Sequence, residues 1–267
     1  MKKRRRIEPS ALGRRRRRRR NFRFLLWSVG VLAVLGGLIG ILHLPNLKVE
    51  NIDLKGNTFS SANNVLLTIK DDISGNYFGV IPKSSVFVYP KRKIESDILE
   101  KYKSIEKVTI KATNLQSIAV NVMERKLHSL WCRESNCYLM DDGGYIFSIA
   151  PDYSHDLYFV YSGLVTAANP IGQNFLPSPE FQEVNEFIEN VKKLSLQPVS
   201  LRATDPQDFQ LSLDSGARIL FTNNQPYETT LSNLQTILDP NNPAGTRIDL
   251  SKIDYVDLRF GNKIYYK

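Results

Sequence analysis

Residues 24–44 read FLLWSVGVLAVLGGLIGILHL, an apolar run without a formally charged side chain. As an α-helix this run would be about 31 Å long, close to the roughly 30 Å hydrocarbon core of a bilayer. A cleaved signal peptide has a shorter apolar core and ends in a small-x-small site, which Leu42-His43-Leu44-Pro45 does not provide. The run therefore predicts an uncleaved transmembrane helix, with residues 1–23 before it and the rest of the chain after it.

The net charge of +9 comes from the N-terminal tail. Residues 1–23 hold thirteen basic side chains and one acidic side chain, whereas residues 24–267 hold 23 basic and 26 acidic ones. Basic flanks stay in the cytoplasm, so we expect a cytoplasmic N-terminus and extracytoplasmic domains. We expect the tail to be disordered and to attract anionic lipid headgroups. No aromatic residue precedes Phe22, which argues against recognition of nucleic acid.

A first extracytoplasmic region, residues 46–124, has the pattern of a small α+β domain. The predicted elements follow the order strand, helix, helix, strand, strand, which places both helices on one face of a sheet. They are a strand ending at Gly56-Asn57, a helix capped by Ser60 or Ser61, a helix near 91–103, and strands at 108–111 and 117–122. The loop over residues 75–90 is rich in Phe and Tyr, and is either a binding site or a packed lid.

A second region, residues 125–267, has the pattern of a mainly antiparallel β-domain with two helices. Hairpins are predicted around residues 141–144 and 214–216, and helices over residues 179–194 and 226–238. Asp141-Asp142 lacks the D-x-D-x-D-G spacing of a calcium loop, so a hairpin turn is the better interpretation. The chain as a whole is therefore predicted to be α+β.

The last predicted element is a hairpin with Gly261-Asn262 as its loop. A two-residue loop would set Phe260 opposite Lys263, and Leu258 opposite Tyr265. Alternation then assigns one face, the core face, to Val256, Leu258, Phe260 and Tyr265, and the other to Tyr255, Asp257, Arg259, Ile264 and Tyr266. The last strand has an unpaired edge unless something pairs with it, and such an edge invites a strand of another chain. The alternative is a merely structural edge strand.

The first region resembles a POTRA (polypeptide-transport-associated) domain. The resemblance rests on the Gly-Asn turn, a glycine near aromatic residues in the middle of the region, an I-x-K-V-x-I strand and a terminal V-x-E-R. A single such domain beside a single membrane anchor is similar to the bacterial cell division family FtsQ, also called DivIB.

The second region resembles the same family at three places. These are the passage MERKLHSLWC, in which Leu127 stands where proline is usual, the hairpin DDGGYIF and the terminal VDLRF. The resemblance implies a POTRA domain over 46–124 and a β-domain over 125–267. It also implies a bitopic, non-catalytic scaffold at the division septum that controls septal peptidoglycan synthesis.

Partner residues follow from this resemblance. In the FtsQ family the terminal region receives a strand from FtsB, whose own partner is FtsL. Carried over to this chain, the partner-binding residues are Arg259, Phe260, Ile264, Tyr265 and Tyr266.

The cysteines and histidines point to no catalytic or metal chemistry. Cys132 and Cys137 lie outside the membrane, where a structural disulfide is the favoured interpretation over two free thiols or a metal site. His43, His128 and His155 form no H-x-x-x-H pair, and no phosphate loop or nucleophile elbow is present. We therefore expect no enzyme, cofactor or metal. The competing hypotheses are a membrane-anchored cell-wall enzyme with a POTRA-like accessory module, and a POTRA-type transport component.

Overall fold

The computed structural model describes residues 11–56, 62–151, 157–239 and 248–267, with side chains from residue 21 onward. The chain divides into two compact units. The first comprises the described residues up to Lys101 together with Lys107–Met123, and the second comprises Tyr102–Glu106 and Glu124–Lys267. Helices and a mostly antiparallel sheet are both present, which confirms the predicted α+β class.

The first helix, α1, spans Ala11–Leu42 and contains the apolar run as far as Leu42. Its part Asn21–Leu42 contains an 18-residue window with a mean hydropathy of 2.4, and has a length and composition suited to crossing a membrane. Its apolar side chains, including Trp27 and Leu32, are exposed, as lipid-facing side chains would be. The helix begins inside the basic tail for which disorder is expected, and residues 1–10 lie outside the described residues.

The first unit contains two helices and a three-stranded sheet after a 3-10 turn at Pro45–Leu47. The elements are β1 (Asn51–Lys55), α2 (Ala62–Asp72), β2 (Asn76–Tyr77), β3 (Ile81–Pro82), α3 (Lys91–Lys101), β4 (Ile105–Ala112) and β5 (Ser117–Glu124). The sheet order is β1-β5-β4, with β1 parallel to β5, and β2 and β3 form a separate small hairpin. The predicted element order is thus confirmed, with one added hairpin between the helices. The predicted caps at Ser60 and Ser61 lie outside the described residues.

Apolar spacing explains both helices of this unit. Val65 and Ile69 of α2, and Ile94 and Ile98 of α3, recur at helical intervals and are buried. The buried carboxylate of Asp72 accepts a hydrogen bond from Lys93, which links the two helices.

The second unit is one nine-stranded sheet with two helices. Its elements are β6 (Ser129–Arg133), β7 (Asn136–Met140), β8 (Ile146–Ile149), β9 (Val160–Gly163), α4 (Ser178–Lys193), β10 (Pro198–Ala203), β11 (Asp208–Leu213), β12 (Arg218–Thr222), α5 (Tyr227–Leu238), β13 (Tyr255–Phe260) and β14 (Lys263–Tyr266). The order is β14-β13-β12-β11-β10-β9-β6-β7-β8. Pairing is parallel at β6–β9, β9–β10 and β12–β13, and antiparallel at the other junctions.

The core of this unit lies between the sheet and α4. The predicted apolar stripe of α4 is buried, namely Phe181, Val184, Phe187, Ile188 and Val191. Tyr161 of β9 contacts the ring of Phe181, with ring centroids 5.2 Å apart. The indole N–H of Trp131 donates to the carbonyl oxygen of Gly163, which joins β6 to β9. These contacts join β6, β9 and α4 in one core.

Candidate protein-binding edge of the sheet

β14 is the terminal strand of the nine-stranded sheet. Among the residues that the structure describes, β13 is its neighbour on one side and no strand pairs with it on the other. The arrangement that would exclude strand addition, with residues 263–267 flanked on both sides, is not found in that part of the chain. The outer side of β14 is accordingly the candidate site.

The hydrogen-bond alternation fixes which backbone groups face outward. The N–H of Lys267 donates to the carbonyl oxygen of Tyr255 over 3.2 Å, and the N–H of Tyr255 donates back over 3.3 Å. In an antiparallel pair such bonded positions alternate with unbonded ones. Tyr265 therefore bonds inward to β13, while the N–H and C=O groups of Ile264 and Tyr266 point to the open side.

The register of the hairpin differs in part from the prediction. Phe260 lies opposite Lys263 as predicted, but Tyr265 lies opposite Asp257 rather than Leu258. The cause is a bulge, because two residues of β13, Leu258 and Arg259, oppose one residue of β14.

Because of the bulge, several residues of the last hairpin face different sides from those predicted. Val256 and Leu258 are buried as predicted, whereas Phe260 and Tyr265, predicted to face the core, are 54% and 52% exposed. Ile264, predicted to lie on the opposite face, packs against the core. An extra residue in one strand shifts the alternation of its partner by one position, so the two faces of β14 exchange.

Three of the predicted partner residues form one cluster, in which the two aromatic rings are exposed. The rings of Phe260 and Tyr265 meet edge to face with centroids 5.3 Å apart, and the Arg259 guanidinium lies 5.8 Å from the Phe260 ring centroid. Tyr266 is also exposed, whereas Ile264 is partly buried. The outer margin of the sheet thus combines outward backbone groups with aromatic side chains.

Arg259 is engaged within its own chain. Its Nε and Nη2 donate to the two carboxylate oxygens of Asp257 over 2.9 and 2.6 Å, and its Nη1 donates to Asp208 over 2.7 Å. The hydrogen bonds that Arg259 donates to Asp257 have the largest effect and, with the one donated to Asp208, raise the pKa of the guanidinium, although burial opposes the shift. Since Asp208 belongs to β11, the network ties β13 across β12 to β11 and holds the bulge in place.

The opposite margin of this sheet is covered for part of its length. The N–H of Ile146 in β8 donates to Gln173 over 2.9 Å, and the carbonyl oxygen of Ile146 accepts from Gly172 over 2.7 Å. In the first unit, the N–H of Ile110 in β4 donates to the Glu95 carboxylate over 3.0 Å. These edge groups are satisfied within the chain, whereas the outward groups of Ile264 and Tyr266 have no backbone partner among the residues that the structure describes.

The remaining predicted site residues have structural contacts. Cys132 and Cys137 lie opposite each other in the β6–β7 hairpin and are joined by a disulfide. Asp141 lies in the predicted turn, where its Oδ1 accepts the N–H groups of Gly143 and Tyr145 and its Oδ2 pairs with Arg125 at 2.5 Å. Within the described ranges, no group of His, Cys, Asp and Glu residues could hold a metal ion.

Sequence reasoning missed an acidic groove between α4 and the start of α5. The groove has a volume of about 490 Å³, and its lining includes Glu183, Glu186 and Glu228 around Phe187 and Tyr227. The Tyr227 hydroxyl is buried without a hydrogen-bond partner among the described residues. Burial, followed by the neighbouring glutamates, raises the pKa of this hydroxyl. The groove brings together residues about forty positions apart, so no local motif signals it.

A comparison with protein families matches the second unit. The family described as cell division protein FtsQ/DivIB, C-terminal, matches residues 129–259, nearly half of the chain. The match runs from the start of β6 to Arg259, so that Phe260 and β14 lie beyond it. A search of curated proteins found no match.

Proposed function

We propose, from the membership of residues 129–259 in the FtsQ/DivIB family of cell division proteins, that this chain is a bitopic scaffold of the divisome. The family is one of non-enzymatic division scaffolds. With its apolar N-terminal helix, the chain is a single-pass protein of the cytoplasmic membrane. Its role is to bind FtsB/FtsL-type partners and so to help control septal peptidoglycan synthesis.

The observation that carries this proposal is the open side of β14. An FtsB-like partner would add a strand there, with main-chain hydrogen bonds to Ile264 and Tyr266 and side-chain contacts to Phe260 and Tyr265. Strand addition suits this margin because the donor and acceptor groups are already aligned by the hairpin. The ion pairs of Arg259 with Asp208 and Asp257 would keep the hairpin in the conformation that the partner binds.

The remaining parts of the chain have supporting roles in this proposal. The basic tail stays in the cytoplasm and binds anionic lipids, as its arginines favour. Residues 46–124 act as a POTRA domain that recruits other divisome components, and residues 125–267 act as the β-domain. The protein accumulates at the septum and catalyses no reaction, so turnover of peptidoglycan fragments by the purified protein would contradict the proposal.

The test compares variants of Ile264 and Tyr266 in the full-length protein. Ile264→Pro removes an outward N–H group together with the side chain, whereas Ile264→Ala removes the side chain and keeps the N–H. Tyr266→Pro removes the second outward N–H, with Tyr266→Ala as its control. Each variant is co-expressed with an FtsB-like protein, and the amount that co-purifies is measured.

We expect both proline variants to lose the partner and both alanine variants to retain most of it. Truncation after Phe260 removes β14, and is expected to abolish co-purification while membrane insertion stays intact. Full retention of the partner by the truncated protein would overturn the assignment of the edge. Equal loss in the proline and alanine variants would instead assign binding to side chains.

A further inference from the structure

A second exposed surface lies in the first unit, beside the point where the chain leaves the membrane helix. Leu47 follows Leu42, the last residue of α1, by five positions, so it lies within roughly 17 Å of the helix end. The N–H of Val86 donates to the carbonyl oxygen of Leu47 over 2.9 Å, and the N–H of Val49 donates to Ser84 over 2.8 Å. The segment around residues 84–86 is therefore fastened to the first residues outside the membrane.

Two other segments lie at the same end of this unit. The β2–β3 hairpin directly precedes residues 84–86, and β3 contacts α1. The turn over residues 113–116 lies beside the start of β1, because the carbonyl oxygen of Gln116 accepts the N–H groups of Glu50 and Asn51 over 2.9 and 3.1 Å. The parallel pairing of β1 with β5 keeps this turn at the membrane end.

The exposed side chains of these segments are apolar. Phe78 is 95% exposed and Phe87 is 64% exposed, while Val80 and Leu115 are each exposed by more than half. We call these four residues the juxtamembrane face. Several exposed apolar side chains at one end of a unit are typical of an interaction surface.

The charge pattern of the same segments suits lipid headgroups. Lys83 is the single charged residue among residues 73–90, and Lys48 is the single one among residues 44–49. The Lys83 ammonium lies 5.7 Å from the ring centroid of Tyr77. Tyrosine rings and lysine side chains both favour the interface between bilayer and water.

The tip of the β2–β3 hairpin has a phenylalanine, Phe78, at a backbone conformation that is unfavourable for a bulky residue. Phe78 and Gly79 have φ values of 50° and 75°, and the N–H of Val80 donates to Tyr77 over 3.1 Å. Such a turn prefers asparagine or glycine at its first central position, and a bulky residue there is strained. The turn nevertheless exposes a phenylalanine ring, and contact of such an apolar ring with water is unfavourable.

We propose that the juxtamembrane face inserts its apolar side chains into the outer leaflet of the membrane that α1 spans. The bilayer is the chosen occupant because the face is continuous with the anchor, and because Lys48 and Lys83 are the single charged residues of segments 44–49 and 73–90. This inference rests on the membrane anchoring in the proposed function and is independent of strand addition at β14. If the face inserts, both α1 and the juxtamembrane face hold the first unit against the membrane.

The test uses the full-length protein in nanodiscs of phosphatidylethanolamine and phosphatidylglycerol. Single cysteines replace Phe78, Phe87, Leu67 or Leu32, and each is labelled with an environment-sensitive fluorophore. Leu67, in α2, matches Phe87 with 64% exposure but lies outside the juxtamembrane face, and Leu32 reports insertion of the anchor. Unsubstituted protein, treated in the same way, measures any labelling of Cys132 and Cys137.

We expect labels at Phe78 and Phe87 to show blue-shifted emission and strong quenching by lipids that carry a nitroxide just below the headgroup. The label at Leu67 should behave as in water, and the label at Leu32 should be shielded. Water-like emission at Phe78 and Phe87 beside a shielded Leu32 would overturn the inference and leave the anchor intact. An unshielded Leu32 would overturn the anchor itself, and the inference with it.

A second variant separates membrane contact from local distortion by the label. With the label at Val80→Cys, the double substitution Phe78→Ser and Phe87→Ser should return the emission to its value in water. Leu67→Ser, introduced instead into the protein labelled at Val80→Cys, should leave the emission unchanged. Persistent shielding in the double variant would show that the protein, and not the lipid, covers the tip.

Discussion

Replacing Arg259 by alanine tests whether the bulge and the hairpin depend on a charged network. The substitution removes three hydrogen bonds and two ion pairs from the guanidinium. It leaves the carboxylate of Asp257, whose side chain is 8% exposed, without its counter-charge. A buried carboxylate without a counter-charge is costly, so the folded state of the second unit should lose stability.

The expected loss can be bounded from the exposure of the partners. Removing one partner of a buried pair costs about 3–5 kcal/mol, whereas an exposed pair is worth about 0–1 kcal/mol. Arg259 and Asp208 are 31% and 24% exposed, so water screens part of the network. We therefore expect a loss of about 2–3 kcal/mol. For a unit of this size the midpoint of thermal unfolding should fall by about 5–10 °C.

Thermal and urea unfolding of the full-length protein in detergent, followed by circular dichroism, measures this loss. Lys252→Ala is the control, because Lys252 and Asp249 form an exposed ion pair at 3.5 Å in the same unit and its removal should change little. Adding Asp257→Asn to the Arg259 variant removes the unpaired negative charge and should recover part of the lost stability. A loss for Arg259→Ala no larger than that for Lys252→Ala would refute the reasoning.

Three further predictions concern the second unit. Burial raises the pKa of the Tyr227 hydroxyl above 10.0, so the stability that its neutral form contributes is present below pH 10 and is lost above it. Tyr227→Phe should therefore leave the free energy of unfolding unchanged at pH 7 and reduce its fall at alkaline pH. Cys132 and Cys137 should resist thiol labelling until reduced, and their replacement by serine should cost about 2 kcal/mol in urea unfolding. Gly144→Ala places a Cβ 2.8 Å from the Phe181 ring at a φ of 79°, and should cost about 1–3 kcal/mol in the same assay.

The sequence predicted those elements whose shape is decided locally. The stripe of α4 recurs at helical spacing over sixteen residues, and a helix with such a stripe must bury it. Gly261-Asn262 likewise set the turn of the last hairpin and the pairing of Phe260 with Lys263. In both cases neighbouring residues carry the whole signal.

The missed features depend on contacts between distant residues. The bulge at Leu258 and Arg259 is held by Asp208, which lies 51 residues from Arg259, so turn chemistry could not reveal it. Strand β9 is four residues long, and its parallel partners β6 and β10 lie far from it along the chain. The roles of Phe260 and Ile264 exchanged for this reason, while the location of the edge did not change.

The strand order has a consequence for how the second unit is made. β7 joins β6, β8 joins β7, β9 joins the other side of β6, and β10 to β14 then follow one after another. Each strand thus docks on a margin that already exists, and none has to be inserted between two others. The sheet can therefore grow outward from β6 in the order in which its strands occur in the sequence, without waiting for later segments.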